Sequence, residues 1–172
     1  MVGKTNDELL NSLKKYIGKE IRFAFNYDGK RNDVTGILNY CNSYNDIIVI
    51  HVENNKNSAG YPLHIIDETF GITSKNKVIY APLLERSLGK EVEILYHNNE
   101  RIMKKEIGAL KYIDEDMIKL EDLKGESTKL IPFNNHNVRI EMIRDKEGNL
   151  LYKNLDAHFI SDPDKDGKLL LF

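Results

Sequence analysis

The sequence predicts an all-β protein: two tandem, strongly bent, five-stranded antiparallel barrels, each opened by a short helix. Three observations predict it. The first is an internal repeat, in which Leu13, Gly18, Lys19, Glu20, Gly36, Leu38, Tyr40, Asp46 and Ile48 recur as Leu84, Gly89, Lys90, Glu91, Gly108, Leu110, Tyr112, Asp116 and Ile118, at an offset of 70 to 72 residues. A period of that length fixes the number of units. The second is a change of hydrophobic period, from helical to alternating, at the same place in both copies. The third is a glycine kept inside the second strand of each copy, Gly36 and Gly108, where it weakens a strand unless the chain bends or another backbone comes close.

The elements follow in order. Thr5-Asn-Asp-Glu8 fits a capping box, in which the threonine hydroxyl accepts an orphan amide and the glutamate reaches back. Leu9, Leu10, Leu13 and Ile17 follow at helical spacing, so a helix over Thr5 to Tyr16 lays that stripe on the barrel. Gly18 ends it. From Glu20 the residues Ile21, Phe23 and Phe25 alternate with Arg22, Ala24 and Asn26, which predicts a half-buried strand. Asp28-Gly29 supplies the turn to a second strand, Val34 to Tyr40. After the polar loop Cys41 to Asn45, Ile47 to Val52 reads as a central strand, Tyr61 to Ile66 as a fourth and Val78 to Tyr80 as a brief fifth. Asp67 to Asn76 reads as an irregular connection with no counterpart in the second copy.

Ala81-Pro82-Leu83-Leu84 restarts the cycle, with proline in a first helical turn. The second set of strands is predicted over Glu91 to Tyr96, Lys105 to Tyr112, Met117 to Glu121, Lys129 to Phe133 and Val138 to Ile143. A turn at Asp145 to Asn149 then makes Leu150 to Tyr152 a hairpin partner of the last strand, and the apolar end Leu169 to Phe172 is expected to dock. The units are 1–80 and 81–172, each large enough for a modest core.

Composition narrows the function. With 41% hydrophobic and 30% charged residues the chain is globular. Its formal charge is −2, divided as ten basic against nine acidic residues up to Tyr80 and fifteen against eighteen beyond it. A protein held to nucleic acid by phosphate neutralisation alone carries a positive excess, so unspecific binding of that kind is disfavoured. Local basic runs remain, at Lys14, Lys15, Lys19 and Arg22 and at Arg101, Lys104 and Lys105. A single cysteine, Cys41, forms no internal disulfide, and no apolar run reaches the length of a membrane span. With no secretory signal at the start, the cytoplasm is the expected address.

Recognition chemistry is concentrated in turns. Phe133, Asn134, Asn135, His136 and Asn137 place a ring, amides and an imidazole together, groups suited to stacking on and hydrogen-bonding an unstacked base. The alternative is a polar turn, where asparagine is favoured in any case. Tyr40 to Asn45 and Tyr112 to Asp116 occupy equivalent loops, with Tyr44 and Tyr112 as stacking candidates beside Asn45 and Asp114. The five histidines and Cys41 show no metal-ligand spacing, and no phosphate-cradling glycine-rich loop occurs. Neither catalysis nor a cofactor is expected. Asp162, Asp164, Asp166 and Gly167 match the start of a calcium loop, but the chain ends at Phe172, the eleventh position, before the bidentate glutamate.

The segments LGKEVEIL, GALKYIDEDMIKLE and TKLIPFNNHNVRI resemble the Sm and Sm-like family, whose members share a helix followed by a bent five-stranded, SH3-like barrel. Within it the second copy is most similar to the C-terminal barrel of the bacterial ribosome maturation factor RimP. The resemblance covers Leu84 to Ile143 well and Leu13 to Tyr80 more loosely. It implies a non-enzymatic module that binds RNA or a ribonucleoprotein, in RNA metabolism or ribosome biogenesis. It also implies assembly of copies through strand edges. Asp114 and Met117 match the family's RNA-contacting loop, whereas Ile118 stands where the family carries an asparagine. Phe133 to His136 stand in place of its Arg-Gly pair. Those two departures, with the near-neutral charge, leave a protein-interaction or scaffold module as the alternative expectation.

Overall fold

A computed structural model describes residues 5–155 apart from 56, 99, 101 and 136. Lys14 ends the first helix, α1 (Asn6–Lys14), two residues earlier than the apolar spacing predicts. Thr5 Oγ1 accepts the amide of Glu8 at 3.2 Å, and Leu9 and Leu13 are buried. Ile17 therefore lies beyond the helix and is exposed, and Tyr16 takes the buried place instead.

Twelve strands follow in two six-stranded antiparallel sheets. The first contains β1 (Glu20–Tyr27), β2 (Lys30–Tyr44), β3 (Ile47–Glu53), β4 (Ser58–Pro62), β5 (Ile72–Ser74) and β6 (Lys77–Tyr80), in the spatial order β4-β3-β2-β1-β5-β6. After the short α2 (Pro82–Glu85) the second contains β7 (Glu91–His97), β8 (Met103–Ile113), β9 (Met117–Glu121), β10 (Thr128–Pro132), β11 (Arg139–Asp145) and β12 (Leu150–Lys153). Its order, β10-β9-β8-β7-β11-β12, is the same. The repeat thus extends to every strand.

Three expectations change. The polar stretch expected as a loop over Cys41 to Asn45 is strand as far as Tyr44, paired residue for residue with β3. The fourth strand of the first unit begins at Ser58 and stops at Pro62, where Leu63–Ile65 turns into a 3₁₀ helix. The connection expected to be irregular holds β5, whose place in the sheet is that of β11. The first sheet therefore has six strands, not five, and the second has its five with the expected hairpin partner β12 as the sixth.

The bend has the same origin in both units. Strand β2 pairs with β1 up to Ile37 and with β3 from Ile37 onward, with a bulge between Leu38 and Tyr40. Strand β8 changes partner from β7 to β9 at Ala109, with a bulge between Leu110 and Tyr112. A bulge sharpens local twist, and the glycine just before it lets the neighbouring backbone close in. The turn into each sheet is also repeated. Gly18 donates to the Leu38 carbonyl at 2.7 Å and Gly89 to that of Leu110 at 2.7 Å, both with φ near +90°, at +89° and +86°, where only glycine is at ease.

The inward faces form two cores. One gathers Leu13, Phe23, Leu38, Ile50 and Ile72, the other Leu84, Ile94, Leu110, Ile118 and Phe133. Strand β6 serves both, since Ile79 belongs to the first core and Val78 to the second. No helix of the described residues is long and apolar enough to cross a membrane.

Candidate functional site

The predicted recognition residues fall in three kinds of place. Asn135 and Asp114 organise their own turns. Asn135 Oδ1 accepts the amides of Asn137 and Val138, both at 2.8 Å, and Asp114 Oδ1 those of Asp116 and Met117, both at 2.8 Å. This is the local competition with backbone partners that puts such residues in turns. Phe133 is in the core at 1% exposure, its ring edge-on to Tyr152 at 5.4 Å, so it offers no face to a ligand.

The tyrosines are the reverse. Tyr44 is 71% exposed and Tyr112 50%. Asn45 and Asp46, with φ +50° and +63°, form the two-residue turn between Tyr44 and Ile47, the geometry that suits a hairpin's twist. Asn134 bridges to Arg139 and faces a crevice, and Asn137 is exposed. His136 lies outside the described residues, as do Arg101 and the acidic run Asp162, Asp164 and Asp166. The apolar end Leu169 to Phe172 lies outside them too. Among the described residues no group of three or more His, Cys, Asp or Glu side chains is placed to hold a metal ion. Cys41 is buried, and burial pushes its thiol up from the ordinary value.

What the structure brings together is the junction of the two units. The acidic loop after β8 docks on the first unit. Tyr16 Oη donates to Glu115 Oε2, the Val78 amide donates to the Glu115 carbonyl at 2.8 Å, and Lys77 Nζ meets Asp116 Oδ1 at 2.5 Å. That contact raises the Lys77 ammonium. Arg86 and Glu68 pair across the same junction at 2.6 Å.

Burial, and then the Glu115 carboxylate, hold the Tyr16 phenol well above its ordinary value. The folded state therefore favours the protonated phenol. Its contribution is complete below about pH 10, the unfolded value, and is lost as pH rises through the higher folded one. Tyr16→Phe is expected to cost about 1–2 kcal/mol in urea unfolding at neutral pH. Ultraviolet titration should also lose the most alkaline of the tyrosine ionisations. A variant as stable as the parent would show that the Tyr16–Glu115 bond contributes nothing.

The hairpin between β5 and β6 borders two depressions beside this junction. On one side a crevice of about 30 Å³, room for a water, lies between Arg22, Lys75, Asn76 and Asn134. On the other a cleft of about 520 Å³ is lined by Tyr16, Lys19, Glu20, Ser74, Lys75 and Lys77. Ser74 Oγ donates to the Glu20 carbonyl at 2.7 Å, tying the hairpin to β1, and Lys19 Nζ lies 5.4 Å from the Tyr16 ring centre. Lys19, Arg22 and Asn134 stand out in the sequence as basic or recognition residues, whereas Lys75, Asn76 and Lys77 do not. The available signal was Ser74-Lys-Asn-Lys77, a polar tetrapeptide between Ile72 and Val78 that reads as a hairpin tip once both flanks are taken as strands.

These features define an all-β protein of two repeated sheets, with a lysine-bearing cleft on the first beside their junction. Compared with known families, with curated proteins and with solved structures, the chain matches none.

Proposed function

We propose that the chain is a non-enzymatic, Sm-like binding module of tandem SH3-like barrels that holds single-stranded RNA, in RNA metabolism or the assembly of ribosomes and other ribonucleoproteins. The observation that carries this reading is the placement of Lys75 and Asn76, on one hairpin tip, between Lys19 in the cleft and Asn134 in the crevice. Lysines lining one cleft suit a phosphate backbone, and amides beside them meet exposed base edges. The repeated bend at Gly36 and Gly108 supports the barrel class. A second reading, a protein-interaction module without RNA, is favoured by one observation: Asp116 already neutralises Lys77.

Fluorescence anisotropy with a labelled oligouridine separates the two. The parent protein is expected to bind at low salt. The double variant Lys19→Gln, Lys75→Gln should weaken binding and flatten the slope of log K against log salt by roughly 1.4, about 0.7 for each of two lost phosphate contacts on a single strand. An oligouridine that does not bind, or binds the double variant equally well, would leave the protein-interaction reading standing.

A further inference from the structure

The first unit carries a second surface, far simpler in its chemistry than the junction. Past the bulge in β2 the alternation is strict. Cys41, Ile48, Ile50 and Val52 point into the core, so Tyr40, Asn42, Tyr44, Ile47, Val49 and His51 point out. On β4 the outward positions paired with Val49 and His51 are Pro62 and Gly60.

Within this face one ring is held flat. Tyr40 and His51 lie opposite each other in the register and stack in parallel, 3.9 Å between centres and 15° between planes. His51 in turn lies over Gly60, where a Cβ would stand 3.1 Å from its Cε1 and 3.2 Å from its Nδ1. The missing side chain leaves room for the imidazole, and the imidazole supports the tyrosine from one side. Tyr40 remains 50% exposed. The open face is ordered before anything binds, so little entropy is lost on contact.

The charged residues described on the outer face of these strands have one sign. None of the described outward residues on these three strands past the bulge is lysine or arginine. Glu53 follows His51 on the same face, its Oε2 accepting from Asn39 Nδ2 at 3.0 Å, and Asp46 stands at the hairpin tip. A phosphate backbone laid here would meet Glu53 and, among the described outward residues of these strands, no lysine or arginine. The equivalent row of the second unit differs where it matters: Tyr112 pairs with Lys119, and Lys119 with Leu130. A cation is already present there, and neither the imidazole nor its glycine seat is kept.

We propose that the outward face of β2, β3 and β4 docks an arginine-bearing segment of a protein partner, with the guanidinium stacked on Tyr40 and ion-paired to Glu53. A guanidinium is planar and weakly hydrated, so it can lie on a ring and still bond a carboxylate at its edge, which a lysine ammonium does less well. This inference does not rest on RNA binding at the junction.

The test uses the full chain, a labelled Arg-Gly-Gly repeat peptide, its Lys-Gly-Gly counterpart and the labelled oligouridine. The arginine peptide should shift the amide signals of Tyr40, His51 and Gly60 in a nitrogen-correlated NMR spectrum and bind more tightly than the lysine peptide. Tyr40→Ala should weaken it by about threefold or more, within the range of cation–π contacts. Tyr40→Phe should retain binding, Glu53→Lys should abolish it, and Tyr112→Ala should leave it unchanged. Equal binding by Tyr40→Ala or Glu53→Lys, or no binding by the parent, would overturn the proposal. Loss of oligouridine rather than peptide binding in Tyr40→Ala would make this face a base platform and would also overturn it. Loss of oligouridine binding in the Lys19, Lys75 variant with arginine-peptide binding retained would support a separate peptide site on this face.

Discussion

Replacing Gly108 with alanine is expected to cost about 3 kcal/mol, the upper end of the range for overpacking. A Cβ built there falls 2.3 Å from the Glu121 carbonyl oxygen and 2.9 Å from Leu120 Cγ. The first contact decides the outcome, because a backbone oxygen in the β8–β9 ladder cannot move aside without parting the strands. Gly36→Ala should behave alike, with contacts at 2.7 Å to both the Glu53 oxygen and Val52 Cγ1. The valine end can yield, so the smaller loss is expected in the first unit. Gly148 provides the contrast: its φ is +89° but nothing lies within 4 Å of its Cβ position. There alanine should cost only the left-handed backbone penalty, about 1–2 kcal/mol. Urea unfolding midpoints of the three variants check the order. A Gly108→Ala protein no less stable than Gly148→Ala would mean that the strands at the bend are not held as closely as described.

That glycine pair shows what was legible in the sequence. A residue that weakens a strand and yet recurs at the same place in two copies had to serve the backbone path, and Gly36 and Gly108 both lie at the change of strand partner. The long strands were readable from their alternation. Strand β5 was not, because three residues, Ile72–Ser74, are too few to establish a period of two. In β11 the period itself misleads. Ile140 and Ile143 both reach the core because the bulge between Ile140 and Met142 reverses the faces, which turns Met142 away from where strict alternation would put it and leaves Glu141 on the outer side.

The candidate site was legible only by residue type. Asn135 and Asp114 have the chemistry of recognition and the chemistry of turns at once, and the hydrogen bonds to their own amides are visible only in three dimensions. The junction was beyond reach for a different reason. Tyr16 and Glu115 are 99 residues apart, and a contact at that separation leaves no local pattern in a single sequence. In the sequence Tyr40 stands out only as a mark of the repeat and the start of a polar stretch. Its support by His51 and Gly60 depends on register across three strands, which the bulge at Leu38 and Tyr40 sets.

The second large effect is expected on the outer side of β7 and β11, where the same bulge buries a charge. Glu141 is fully buried, and every donor it meets converges on one oxygen. Arg139 Nε and Nη2 lie 2.7 and 2.6 Å from Oε1, and His97 Nδ1 lies 3.1 Å from it. Oε2 finds no hydrogen-bond partner among the described residues. Such an arrangement is held together by mutual dependence more than by net gain, because the desolvation of each charge offsets much of the attraction. Removing one member leaves the other buried and uncompensated. Arg139→Leu is accordingly expected to cost about 3–5 kcal/mol. Glu141→Leu should cost less, since Arg139 keeps a quarter of its side chain in solvent and can turn outward. The double variant, with an apolar pair in place of the ionic one, should be more stable than Arg139→Leu alone. Urea midpoints for the cycle measure the coupling, which is expected to exceed about 1 kcal/mol for groups in direct contact. Additive losses in the double variant would show that Arg139 and Glu141 stabilise the fold independently, and that the buried carboxylate is balanced by His97 instead.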